Sequence, residues 1–264
     1  MSDFFSIWDY KLPGLGFASL LGLIWGSFFN VCIVRIPQDK SVVRNRSHCQ
    51  SCHKSLKWYH NIPVLSYVLL GGKCAFCKAP ISLQYPLVEI LSAVFFAYLW
   101  WIYGWSPSWL CYTVFVSMLL IITVIDLKHM IIPDELSLSG IVLGLVSVFF
   151  TGDIVWWESL LGAALGGGIF LGIALLYEKL TKQEGLGGGD IKLLAMIGAW
   201  LGIQSVLIVI IISSALGSLV GLSLILTKRK NLKTAIPFGP FLAIAAILYL
   251  LWGLPLRRAL FPSL

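Results

Sequence analysis

Apolar residues in this chain come in runs of about twenty, broken by polar stretches, and this patterning limits the fold more than any other feature. A helix needs a run of roughly that length to cross the hydrocarbon core of a bilayer. Barrel strands, the other way to satisfy a backbone in lipid, are shorter and alternate polar with apolar residues, which these runs do not do. Only 12% of residues are charged, about half of what a soluble domain carries. The expected class is an all-α polytopic membrane protein with about eight transmembrane helices. The runs place them near Gly14–Val34, Leu87–Tyr103, Ser108–Ile125, Glu135–Phe150, Val155–Tyr177, Ile191–Leu201, Ile203–Leu226 and Ile236–Leu254. Asp3 and Asp9 precede the first run, where a secretory leader would carry basic residues. That run is therefore expected to stay as the first span.

An even number of spans puts both termini on one side, and the basic residues choose which. Sixteen of the nineteen lysines and arginines fall in the stretch from Arg35 to Tyr85 and in later loops on that same face. The other face keeps Lys11, Arg257 and Arg258, together with Asp3, Asp9, Asp153 and Glu158. The positive-inside rule makes the large loop cytoplasmic and sends both termini out. The net charge of +7 is thus explained by topology and by anionic lipid, and implies no nucleic-acid partner. The division expected is a first transmembrane helix over 1–34, a cytoplasmic loop domain over 35–86, and a transmembrane domain over 87–264.

That loop contains Cys49-Gln-Ser-Cys52 and Cys74-Ala-Phe-Cys77. Two such knuckles can bring four thiolates to one tetrahedral zinc, a closed structural site with no position left for a reactive water. A loop of about 50 residues builds little core of its own, so a metal staple has a purpose there. Disulfides or free thiols are the alternatives, the former disfavoured in a reducing compartment. His48 and His53 flank the first knuckle, as substitute ligands or, the more frequent case, as solvated loop histidines. Cys32 and Cys111 fall within spans, where a lone cysteine behaves as a small hydrophobe.

Ionisable side chains at a membrane span are costly and point to function. Asp126 ends the third expected span, and Asp190 opens the sixth within Gly185-Leu-Gly187-Gly-Gly189-Asp190. Both fall at the cytoplasmic boundary. Two carboxylates in one site can share a proton, as an aspartyl protease requires: one takes a proton from the attacking water and the other gives one to the substrate carbonyl. Gly187 and Gly189 would leave room for an extended substrate backbone and allow backbone angles other residues avoid. Against this stand two bland readings: Asp190 as a helix N-cap, and Asp126 with Lys128 as a solvated helix end.

These motifs together resemble the type IV prepilin peptidases. The resemblance runs through Gly26-Ser-Phe-Phe-Asn30 to Pro37, both knuckles, Trp58-Tyr59-His-Asn61-Ile-Pro63, Tyr85-Pro86-Leu-Val-Glu89, the Asp126 run and Gly187-Gly-Gly189-Asp190-Ile-Lys192. It implies an inner-membrane enzyme that cuts the leader from type IV prepilins or type II secretion pseudopilins at the cytoplasmic face. It also implies methylation of the new N-terminal residue with S-adenosylmethionine. By the same resemblance Asp126 and Asp190 are the catalytic pair, the four cysteines the zinc set, and the S-adenosylmethionine site unknown. Gln84 departs from the family pattern, which has a basic residue there, and Glu89 is either a participant in methylation or an acid favoured by its helix dipole.

Two non-peptidase readings compete: a zinc-containing assembly factor of a secretion apparatus, and a proton-coupled transporter using the same carboxylates. The chain shows no internal repeat of the kind transporters carry. Gly162, Gly166, Gly167, Gly168 and Gly172 on the fifth span are expected to form a close-packing face. Trp100, Trp101, Trp156 and Trp157 are expected to lie at the membrane interfaces.

Overall fold

The structure, a computed structural model, describes residues 2–44, 47–182, 187–227 and 236–260, with backbone only for 2–11 and 254–260. Arg46, Gly185 and the basic run Lys228, Arg229, Lys230 and Lys233 lie outside the described residues. Among those residues the chain is helical: α1 (Ser2–Arg35), the short α2 (Leu65–Leu69), α3 (Gln84–Tyr103), α4 (Pro107–His129), α5 (Asp134–Thr151), α6 (Trp156–Thr181), α7 (Gly188–Leu201), α8 (Ile203–Leu226) and α9 (Gly239–Leu260). No strand forms among them, only two isolated bridges in the cysteine loop. Among the described residues six helices are long and apolar enough to cross a membrane: α1 from Leu12, α3, α4, α5, α6 and α8. At 14 residues, α7 is too short, and α9 is broken by non-helical backbone at Trp252. The chain divides into two compact units, residues 1–117 and 118–264, with the division inside α4.

In the first unit α1 packs along α3 through glycines. A Cβ on Gly22 would come 2.5 Å from the Ala93 Cα, and one on Gly26 would come 2.7 Å from the Glu89 Cα. Backbones this close require residues without side chains. Trp100, expected at an interface, is instead a core residue at 4% exposure, with its ring against Gly14. Trp101, Trp156 and Trp157 are exposed.

In the second unit α7 is the centre. Every residue from Leu193 to Leu201 is buried, as befits a helix apolar on all sides. On one flank α6 approaches it so closely that a Cβ on Gly162 would strike the Gly198 carbonyl, and one on Gly166 would come 2.5 Å from the Leu194 oxygen. On the other flank Gly140 and Gly144 of α5 make room for Met196 and Trp200. Trp200 Nε1 donates to the Gly140 carbonyl at 2.8 Å, and Ser159 Oγ donates to the Ala199 carbonyl at 2.5 Å. Only part of the expected glycine face is used in this way, since Gly168 and Gly172 face open space.

Candidate active site

Asp126 sits in the last turn of α4 at 5% exposure, so it is not part of a solvated helix end. Its Oδ2 accepts a 2.9 Å hydrogen bond from the backbone N–H of Gly239, the first residue of α9. Chain direction reverses just beyond it. The Met130 N–H closes the helix on the Asp126 carbonyl at 2.9 Å, with Met130 at φ 54, and Pro133 leads into α5.

Asp190 lies in the first turn of α7, three residues after the N-cap, Gly187. Its side chain therefore does not cap the helix. The backbone N–H of Asp190 donates to the Gly187 carbonyl at 3.1 Å and fixes the turn. The charged group that acts on Asp190 is Asp126, so the fold brings the two carboxylates into one site. Asp190 is half-buried and is the more accessible of the two.

Ile132 ties this site together. A Cβ on Gly189 would come 2.8 Å from the Ile132 Cβ, and one on Gly239 would come 3.3 Å from its Cδ1. Gly189 is thus required for close approach. Neither Gly187 nor Gly189 uses the positive φ that glycine alone tolerates well. A side chain on Gly187 would stand 3.4 Å from Asp190 Oδ2. The other acids nearby in sequence are accounted for differently. Asp134 is held by Lys192 Nζ at 2.6 and 2.8 Å, and Glu178 is exposed.

Gly239 escapes a sequence reading. Its signal is Pro237-Phe-Gly239-Pro240, a glycine between prolines at the mouth of the last apolar run. Proline there lacks an N–H and glycine lacks a side chain, so one unobstructed amide is left to point at an acceptor.

The cysteines converge separately, in the first unit. The four Sγ atoms of Cys49, Cys52, Cys74 and Cys77 lie within 4.8 Å of one another, with Cys49 and Cys77 at 3.8 Å. A tetrahedral ion with metal–sulfur bonds of about 2.3 Å spaces its sulfurs at about 3.8 Å, so these thiols fit a metal. The two knuckles repeat one conformation. Cys49 N–H donates to the Lys54 carbonyl and Cys74 N–H to the Ala79 carbonyl, each five residues on. His53 and Lys78, each four residues after the first cysteine of its knuckle, both take φ near +60°. The bridges His48 to Ser55 and Lys73 to Pro80 close the same hairpin twice. Within the set the Cys52 backbone N–H pushes the Cys49 thiol down to about 6. Cys77, despite a hydrogen bond from the Ala79 N–H, is pushed up to about 11 by partial desolvation and by the neighbouring sulfurs.

Comparison with known proteins adds lineage to this geometry. The profile of the Bacterial Peptidase A24 N-terminal domain matches residues 20–103, and that of the Type IV leader peptidase family matches residues 113–222. A prepilin leader peptidase/N-methyltransferase of Xanthomonas campestris pv. campestris is 37% identical, over 91% of this chain and 93% of its own length. Proteins of the same name from Aeromonas hydrophila and Pseudomonas aeruginosa are 36% and 35% identical, the first covering 94% of this chain and 95% of its own length, the second 90% of each. No solved structure matches.

Proposed function

This chain belongs to the type IV leader peptidase family, and from that premise we propose that it removes the leader peptide of prepilins by a two-aspartate mechanism and methylates the new N-terminus. The observation that carries the peptidase reading is the meeting of Asp126 and Asp190, with the Asp126 carboxylate fixed by Gly239 N–H. Fixing one oxygen orients the carboxylate before substrate arrives, which is how a site avoids reorganising during reaction. One carboxylate takes the proton of the attacking water, and its partner gives a proton to the scissile carbonyl. Gly187 keeps a side chain away from Asp190 Oδ2, and Gly189 lets Ile132 pack beside the site.

The remaining assignments follow the sequence. The enzyme is a protein of the bacterial inner membrane with about eight membrane helices, six of them long enough to span by themselves. Its large loop is cytoplasmic and its termini face out. Residues 1–34 form the first span, 35–86 the loop domain and 87–264 the peptidase domain. Pseudopilins of type II secretion are substrates as well as prepilins. The four cysteines hold a structural zinc, which fits a closed all-sulfur site in a loop with little core. S-adenosylmethionine, when bound, supplies an electrophilic methyl group for the amine that cleavage exposes.

The test is cleavage of a purified prepilin in liposomes by the wild type, Asp126→Asn and Asp190→Asn, with zinc content measured for each. Both variants are expected to lose cleavage and keep their zinc. A variant that still cuts at near the wild-type rate removes its aspartate from the mechanism.

A further inference from the structure

The first unit encloses a cavity of about 580 Å³ between the cytoplasmic-end residues of α1, the start of α3 and the cysteine loop. That is the size of site that takes a nucleoside-sized ligand. Its walls are mixed. Val31 and Val34 of α1 and Leu56, Ile62 and Leu70 of the loop supply apolar wall, and polar groups line it as well. Among these Glu89 is outstanding: a carboxylate on the α3 face turned to α1, only 7% exposed, and no part of the aspartate pair.

A buried carboxylate is costly unless something complements it. Here Glu89 Oε2 accepts the Val64 N–H at 2.7 Å, and Ser27 bonds to the same carboxylate. Two partners leave part of its acceptor capacity unused. Val64 itself has φ 59 and ψ −49, and the Leu65 N–H closes on the Pro63 carbonyl across it. This is the positive-φ γ-turn, a rare and strained form, and a β-branched residue is poorly suited to it. Strain of this kind persists where surroundings impose it, and it gathers at ligand sites. His60 also lines the cavity, and its Nδ1 is buried without a partner. The Gly26 packing described above has a consequence here, since it brings the Glu89 backbone against α1 and sets the carboxylate beside Ser27. Asn30, at 2% exposure, holds the mouth of α3 in place through the Tyr85 carbonyl at 3.0 Å and the Gln84 amide at 3.2 Å.

We propose that this cavity is the binding site of the sulfonium methyl donor, S-adenosylmethionine, with Glu89 facing its positive charge and the apolar wall receiving its purine. The assignment rests on the methyl-transfer reading above and gives it a place in the chain. The Glu89 carboxylate is the wall's buried negative charge, and an isosteric amide keeps the acceptor for Val64 N–H while removing that charge.

Two measurements on the full chain in detergent test this. The first is equilibrium binding of S-adenosylmethionine and of S-adenosylhomocysteine, its neutral-sulfur counterpart, to the wild type and Glu89→Gln. The expected result is at least a tenfold weaker dissociation constant for S-adenosylmethionine in Glu89→Gln and a smaller loss for S-adenosylhomocysteine. The second is ultraviolet cross-linking of methyl-labelled S-adenosylmethionine to the wild type, with peptide mapping, which needs no variant to fold. Label is expected in residues 27–40, 47–75 or 79–89. Label elsewhere in a chain that binds the donor, or S-adenosylmethionine binding unchanged within twofold by Glu89→Gln, overturns the cavity and leaves the methyltransferase reading standing. Wild-type protein that binds neither probe and transfers no methyl to cleaved pilin overturns both.

Discussion

Gly239 donates its backbone N–H to Asp126 across 113 residues of sequence, so the first residue of α9 orients a carboxylate at the end of α4. A Cβ at Gly239 would come 2.7 Å from Asp126 Oδ2 and 3.3 Å from the Ile132 Cδ1. It would have to push the carboxylate away from its present position.

Gly239→Ala is therefore expected to cut prepilin far more slowly while remaining folded. Misplacing a catalytic group by about 1 Å costs on the order of a hundredfold in rate. Steady-state cleavage should show the loss in kcat, with zinc content unchanged. A rate within threefold of wild type would mean that the amide is not what positions Asp126.

Asp134 offers the opposite expectation. It is close in sequence to Asp126 but is paired with Lys192 on a partly exposed surface, 56% exposed for the acid and 37% for the base. Exposed pairs of this kind contribute about 0.2–1 kcal/mol. Asp134→Asn should retain cleavage within about twofold and lower stability by no more than that small amount, read from thermal unfolding. Abolished cleavage in a folded Asp134→Asn protein would require a different pair of carboxylates.

The glycines of α6 separate into two kinds. Gly162→Ala would drive a methyl into the Gly198 backbone, and overpacking of a tight interface typically costs about 1–3 kcal/mol or more. Gly168→Ala meets nothing within 4 Å and should raise helix stability by up to about 1 kcal/mol. Unfolding in detergent should order the three proteins as Gly168→Ala, wild type, Gly162→Ala. The reverse order would mean that α6 packs on α7 by another face.

Thiol reactivity in metal-stripped protein tests the electrostatics of the cysteine set. Cys49 is held down to about 6 by the Cys52 N–H, so its thiolate predominates above that pH, whereas Cys77 at about 11 remains protonated. The thiolate is the nucleophile. Iodoacetamide at about pH 7 should modify Cys49 before Cys77, although Cys77 is the more exposed of the two. The Cys49 rate should fall as pH drops through about 6, and the preference should shrink as pH rises towards 11. Mass spectrometry of timed samples reads both. Prior modification of Cys77 at neutral pH would show that exposure, not hydrogen bonding, sets the order.

Much of this arrangement is legible in the residues before any coordinates. The apolar runs place most helix ends within a few residues of where they form, though α1 begins well before Gly14 and α9 runs on past Leu254 to Leu260. The convergence of the knuckles is legible because two Cys-x-x-Cys pairs mark it, and the closeness of Asp126 and Asp190 because ionisable residues at a span are costly and few. Gly239 is not legible. Its partner is remote, and a glycine between prolines at a helix start is common enough without one. The α6 glycines form one stripe in the sequence, though Gly162 and Gly166 share a helix face that Gly168 and Gly172 do not, a distinction the 3.6-residue period carries. The burial of Trp100 is not legible, because a tryptophan near a span end suits an interface by composition. The empty space at Gly14, which lies in a different helix, decides instead that it is buried. Val64 leaves no trace in the sequence, since nothing local favours a valine at positive φ; its neighbours in the fold hold it there.

The two knuckles, being copies of one hairpin, amount to a dimer written within a single chain. Each half brings two sulfurs, and neither half alone can complete a four-sulfur shell. An ion bound there would be the dimer interface itself, so the halves would join or part together rather than loosen by degrees. Cys49 and Cys74 also stand in the wall of the α1–α3 cavity. Parting the halves would therefore loosen that stretch of the wall.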